Sequence, residues 1–217
     1  VCSSDLGLNE IPLSVRDARR LTSSINFNSS PPSRVLEKND SQVVLDIKKA
    51  TLGYGSRPIL ENVDLKITRG EIVALMGRNG AGKSTLLRSM AGLVDLLDGE
   101  VRLGGKDPRA MSPAELIENV GFVPQEPSDL LYGESVRDEC ELADKDNGVA
   151  SGSTLALAQR LLPEINQEAH PRDLSEGQRL ILVLAIVLTT KPKLLILDEP
   201  TRGLDYQSKS RLISILQ

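Results

Sequence analysis

The chain has 217 residues, 40% hydrophobic and 26% charged, with 26 basic against 30 acidic side chains and a net charge of −4. That balance suits a globular domain with a real core and excludes a broad nucleic-acid surface, which needs a basic excess. Aromatics make up only 2% and the two cysteines are Cys2 and Cys140, which argues against base-stacking platforms, a disulfide framework or a CxxC metal site and fits a reducing compartment.

In chain order, VCSSDL (1–6) reads like the translated end of a sequencing-library adapter. It is expected to be a non-native scar, the alternative being an ordinary disordered tail. Residues 7–21 have the pattern of a short helix, and the Ser/Asn/Pro-rich 22–34 that of a linker, so a globular domain is expected to begin near Ser41. Strands are predicted over 43–55, 59–68 and 71–77, the last opening on a Gly-rich turn, then a helix over 83–93 and a strand over 100–105. SPAELIENV (112–120) has Ser at the cap, Pro at N1 and Glu at N3, a helix start, and 121–125 returns to strand. Residues 126–173 are polar and helix-prone, with helices expected at 134–143 and 153–162. A fully apolar strand follows at 193–198 and a helix at 206–217. Strands alternating with helices predict an α/β fold with a mainly parallel sheet, an N-terminal β portion and a helical insertion.

GRNGAGKST (77–85) fits G-x-x-x-x-G-K-[ST], between a predicted strand and a predicted helix. Gly77, Asn79, Gly80, Ala81, Gly82, Lys83, Ser84 and Thr85 form a loop whose N–H groups turn inward at a helix N-terminus, an arrangement that binds polyphosphate. Lys83 reaches the β- and γ-phosphates and the Ser84 hydroxyl ligates Mg²⁺. LLILDEP (194–200) supplies the other half: an apolar strand delivers Asp198 beside the metal, and Glu199 points the opposite way, suited to orienting or deprotonating a water.

LSEGQRLILVLAIVLTT (174–190) holds the longest apolar run, nine residues from Leu180 to Leu188, well short of the roughly 20 that a membrane helix needs. Ser175 and Gln178 have capping-box spacing, which predicts a helix from Glu176 to about Thr189, packed beneath the sheet, with Gly177 permitting an anion to approach its N-terminus.

With these pieces in place, LSEGQ (174–178) resembles the LSGGQ signature of the ABC ATPases, between Walker A and Walker B segments in the right order. Gln125, 49 residues before Leu174, resembles the family's Q-loop; GLD (203–205) resembles the D-loop; Tyr54 lies where the family stacks an aromatic on adenine. The resemblance covers roughly 43–217 and implies a P-loop NTPase fold with ATP and Mg²⁺ as cofactors and a helical subdomain over about 126–190. It also implies a head-to-tail pairing with a second ATPase domain. Ser175, Gly177 and Gln178 then meet the γ-phosphate held by the partner domain, Gln125 senses Mg²⁺ and the attacking water, and Asp205 crosses the interface.

Two departures stand out. Glu176 replaces a signature glycine. The family's switch histidine lies some tens of residues past the D-loop, so the domain 41–217 is expected to be incomplete at its C-terminus; His170, the only histidine, precedes the signature and reads as a surface loop residue. The tracts RPILENVDLKITRGEIVALMGRNGAGKSTLL and DEPTRGLDY are similar to tandem ATPases of energy-coupling-factor importers, which take up vitamins, cobalt or nickel. That likeness makes 7–40 the tail of a preceding domain plus linker. It implies an integral membrane partner at the cytoplasmic face of a bacterial or archaeal membrane, contacted through Leu130, Leu131 and Tyr132, the alternative being that these pack on their own subdomain. Rival readings are a soluble ABC ATPase acting on ribosomes or DNA, and a domain that binds ATP without hydrolysing it.

Overall fold

The structure, a computed structural model, describes residues 42–55 and 57–216. The expected scar (1–6), helix (7–21) and linker (22–34), and the domain start near Ser41, lie outside them.

β1 (Val43–Tyr54) is the middle of a three-stranded antiparallel sheet, flanked by β2 (Arg57–Thr68) and β3 (Asp98–Leu103). Its inward residues Leu45, Ile47, Ala50 and Leu52 are buried, and the register shifts between Ile47 and Ala50, where Lys49 takes φ 48°. A second sheet pairs β4 (Val120–Val123) with β5 (Leu194–Leu197) in parallel, in register from Val120↔Leu194 to Val123↔Leu197. One core joins the two sheets: Leu45, Ile47, Leu52 and Leu103 meet Leu86 and Met90 of α1 (Lys83–Met90) and Val120, Leu194 and Ile196.

The expected strand at 71–77 does not form. These residues have no strand pairing, and Ile72 and Met76 are 80% and 88% exposed. An apolar, β-prone run becomes a strand only beside a neighbour that takes its N–H and C=O groups. Here β2 ends in a turn at Gly70, φ 79°, and neither sheet pairs with the segment that follows. The parallel part of the fold is therefore two strands among the described residues.

The helices follow the predicted order, most with ends trimmed by a few residues, although the helix expected over 134–143 runs on to Asp146. α1 stops at Met90, before Gly92 at φ 71°. α2 (Pro113–Asn119) starts at Ser112, whose hydroxyl accepts from the Glu115 N–H. α3 (Val136–Asp146) and α4 (Ser153–Leu161) pack on α5 (Glu176–Thr189), and α6 (Tyr206–Leu216) closes the other side. α5 is buried from Leu180 to Ala185 because it is covered on two sides. Ile181, Leu182 and Ala185 join Val136, Cys140, Ala158 and Leu162, whereas Leu180, Val183 and Leu184 join Val123, Leu204 and Leu212. A helix apolar around its whole circumference is thus a core helix. Among the described residues no helix is long and apolar enough to cross a membrane.

Candidate nucleotide site

The phosphate loop is built by backbone geometry. Gly80 (φ 78°) and Gly82 (φ 89°) take the left-handed region that other residues avoid, and Gly82 caps α1. Lys83 Nζ donates to the carbonyls of Gly77 and Arg78, at 3.1 Å each, so the ammonium lies folded across the loop. Gly77, Asn79, Gly80 and Ala81 are exposed, and Ala81 N–H closes a turn on the Arg78 carbonyl. Thr85 is different: at 6% exposure its side chain belongs to the packing behind the loop.

Asp198 stands one residue beyond β5, 3% exposed, its N–H donating to the Val123 carbonyl at 3.0 Å. Its Oδ1 accepts from the Ser84 hydroxyl at 3.1 Å, which brings two of the three expected metal residues, Ser84 and Asp198, together; the third, Gln125, is bonded to Glu199 instead. A buried carboxylate with a hydroxyl as neighbour is an oxygen donor pair that fits Mg²⁺, which favours one or two protein oxygens completed by water and phosphate. Glu199 is exposed and sits in a turn: its φ of 50° is left-handed, a conformation costly for a non-glycine residue and concentrated at functional sites.

Gln125 lies beyond β4 as Glu199 lies beyond β5, and Gln125 Nε2 donates to Glu199 Oε2 at 3.3 Å. The cleft between them is lined by Glu126, Glu176, Arg202 and Gly203 as well.

At the start of α5 the capping box is complete. Gln178 N–H donates to the Ser175 hydroxyl at 3.3 Å and Ser175 N–H donates to Gln178 Oε1 at 2.9 Å, leaving the Gln178 amide NH₂ as its outward donor. Glu176 pairs with Arg179 at 2.7 Å. The structure assigns Gly177 a packing reason for being glycine: it is buried, and a Cβ there would run into the Ser208 side chain of α6. Asp205 Oδ1 accepts the Ser208 N–H at 2.7 Å, which holds its carboxyl below the usual range. Tyr54 ends β1 with its ring 63% exposed. His170 is a half-buried loop residue whose Nδ1 accepts the Arg172 N–H at 3.0 Å.

Leu130 and Leu131 are half-buried against the core around α5, so they pack on their own subdomain; Tyr132 is 77% exposed. Sequence reasoning missed what orients that loop. Glu139, 3% exposed, accepts the N–H groups of Tyr132 (2.6 Å) and Gly133 (2.5 Å). Within the acidic tract 138–146, Glu139 and Asp144 are buried. The signal was available: Glu139 follows Val136 by three positions and precedes Cys140 and Ala143, on the apolar stripe of α3.

Residues 60–202 match the protein-family model described as ABC transporter. An ABC transporter ATP-binding protein of Streptomyces avermitilis is 53% identical over 174 residues, covering 80% of this chain and 31% of that protein. The chain thus spans less than a third of that relative's length. The dimeric structure of a bacterial ABC transporter cassette superposes with a TM-score of 0.69 at 28% identity, covering 79% of this chain and 81% of the other. The structure of cbiO1 from Clostridium perfringens, part of the ABC transporter complex cbiONQ, superposes with a TM-score of 0.68 at 29% identity, covering 81% and 72%.

Proposed function

Because the chain belongs to the ABC transporter family of ATP-binding cassettes, we propose that it binds ATP with Mg²⁺ and hydrolyses it as the motor of a membrane transporter. The observation that carries this reading is the Ser84–Asp198 hydrogen bond beside Lys83, with Glu199 at the next position.

Lys83 leaves the Gly77 and Arg78 carbonyls and pairs with the β- and γ-phosphate oxygens, while the loop N–H groups hold the rest of the polyphosphate. Magnesium, held by Ser84 and Asp198 with Gln125 nearby, supplies neutralisation of the phosphate charge when bound. Glu199 orients the attacking water and accepts its proton, positioned by Gln125. Tyr54 stacks on the adenine. Ser175, Gly177 and Gln178 present the N-terminus of α5 to the γ-phosphate of a second ATPase domain, and Asp205 lies at the junction between the two.

We further propose an importer of the energy-coupling-factor type, a subtype supported by the cbiO1 likeness and by DEPTRGLDY. The chain then works at the cytoplasmic face of the membrane, and the loop around Tyr132, pinned by Glu139, meets the integral membrane subunit. The test is phosphate release from Mg-ATP over a range of protein concentrations, with Glu199→Gln as control. Turnover per chain that rises with concentration and vanishes in the control supports a composite dimer site. ATP binding with no release above the control sinks the hydrolysis reading for this chain.

A further inference from the structure

The parallel ladder ends early. Its last pair is Val123↔Leu197, and the last backbone bond across it runs from the Asp198 N–H to the Val123 carbonyl. Past that point the segment carrying Gln125 and the turn carrying Glu199 are joined by side chains. One link is the Gln125–Glu199 hydrogen bond, long at 3.3 Å. The other is an ion pair between Glu126, the residue after Gln125, and Arg202, three positions after Glu199: Arg202 Nη1 lies 3.0 Å from Glu126 Oε1.

Arg202 is rigidly referred to Glu199. Its N–H donates to the Glu199 carbonyl at 3.1 Å, closing a turn whose first residue holds the left-handed φ of 50°. The cleft they border is lined by three carboxylates, Glu126, Glu176 and Glu199, and Arg202 is the cation among its lining residues. Glu176 is drawn aside by Arg179, which leaves the guanidinium of Arg202 to Glu126. Without it, Glu126 faces two like charges, and the side-chain link left between the two segments is the long Gln125–Glu199 bond.

We propose that Arg202 is a positioning residue: by pairing with Glu126 it holds the segment carrying Gln125 against the turn carrying Glu199. For catalysis, this rests on the reading above that Glu199 acts on the attacking water. Both side chains of the pair are about 58% exposed, so the bridge is weak and salt-sensitive, a tether that can open and reclose in a working cycle.

The test is amide hydrogen exchange across 124–130 in the chain as it stands. Arg202→Gln accelerates exchange there about twofold and Arg202→Glu about fivefold, the span an exposed ion pair supports. The swap Glu126→Arg with Arg202→Glu restores the wild-type rate, and molar salt loosens the wild type in the same place. Unchanged exchange in Arg202→Glu, or failure of the swap to restore it, overturns the proposal. In Mg-ATP turnover Arg202→Gln lowers kcat with KM within about twofold of wild type, whereas a raised kcat or a change in KM alone overturns the positioning role. A wild-type chain without turnover counts against the hydrolysis reading only, because the exchange result decides the bridge independently.

Discussion

The Ser84 hydroxyl donates to Asp198 Oδ1 at 3.1 Å, closing the phosphate loop onto the end of β5 across 114 positions of sequence. Both groups offer hard oxygen to one spot, so either substitution strikes metal-assisted binding first. Ser84→Ala or Asp198→Asn is expected to weaken ATP binding about 10- to 100-fold with Mg²⁺ present, and far less with EDTA. Isothermal titration in both buffers checks this, and equal losses with and without metal would contradict it.

The cap of α5 has a stability signature of its own. Ser175→Ala removes the acceptor for the Gln178 N–H and is expected to cost about 1 kcal/mol. Gly177→Ala forces a methyl onto Ser208 and is expected to cost about 1–3 kcal/mol by overpacking. Pairing Gly177→Ala with Ser208→Gly should recover much of that loss. Urea unfolding of the three variants measures it, and a harmless Gly177→Ala would show that the α5–α6 contact is loose.

Cys140 is fully buried, and burial first, then Asp144, Glu139 and Glu141, push its thiol up to about 12. The proton is held more tightly in the folded state than in the unfolded. The associated stability is therefore whole below the ordinary thiol range near 8.5 and is lost as pH rises from there toward 12. Cys140 should resist alkylation at pH 8 until the chain unfolds, as mapped by mass spectrometry. Cys140→Ala should flatten the alkaline decline, and fast native labelling would refute the burial argument.

The unpaired segment 71–77 presents Ile72 and Met76 to solvent, with Val73 and Leu75 44% and 40% exposed. An exposed apolar run outside any sheet is a template for association. Ile72→Lys with Met76→Lys is expected to lower self-association at high protein concentration while leaving the unfolding midpoint nearly unchanged. Sedimentation velocity and thermal melts read the two effects, and a large fall in the midpoint would show that the segment is packed after all.

Much of the site was legible one stretch at a time. Glycines at 80 and 82 before Lys83 specify a loop because only glycine takes the required φ cheaply, and Ser175 with Gln178 marks where α5 begins. The helix bounds Glu176–Thr189 agree with the sequence reading for that reason: both ends are set by local chemistry. The same local rules misplace 71–77, since an apolar, β-prone run says a strand is wanted without saying whether a neighbour is there to pair with it.

Local sequence alone determined which backbone could curl around phosphate, where helices start, and which residue types stand ready as base, cation and metal ligand. Tertiary structure alone decided that Ser84 meets Asp198, that Gly177 is glycine for Ser208, that the Glu139 carboxylate finds the Tyr132 N–H, and that Arg202 finds Glu126. The division is physical. Caps and turns are satisfied within a few residues, whereas these pairs are separated by about 7 to 114 positions and exist only once packing has brought their elements together.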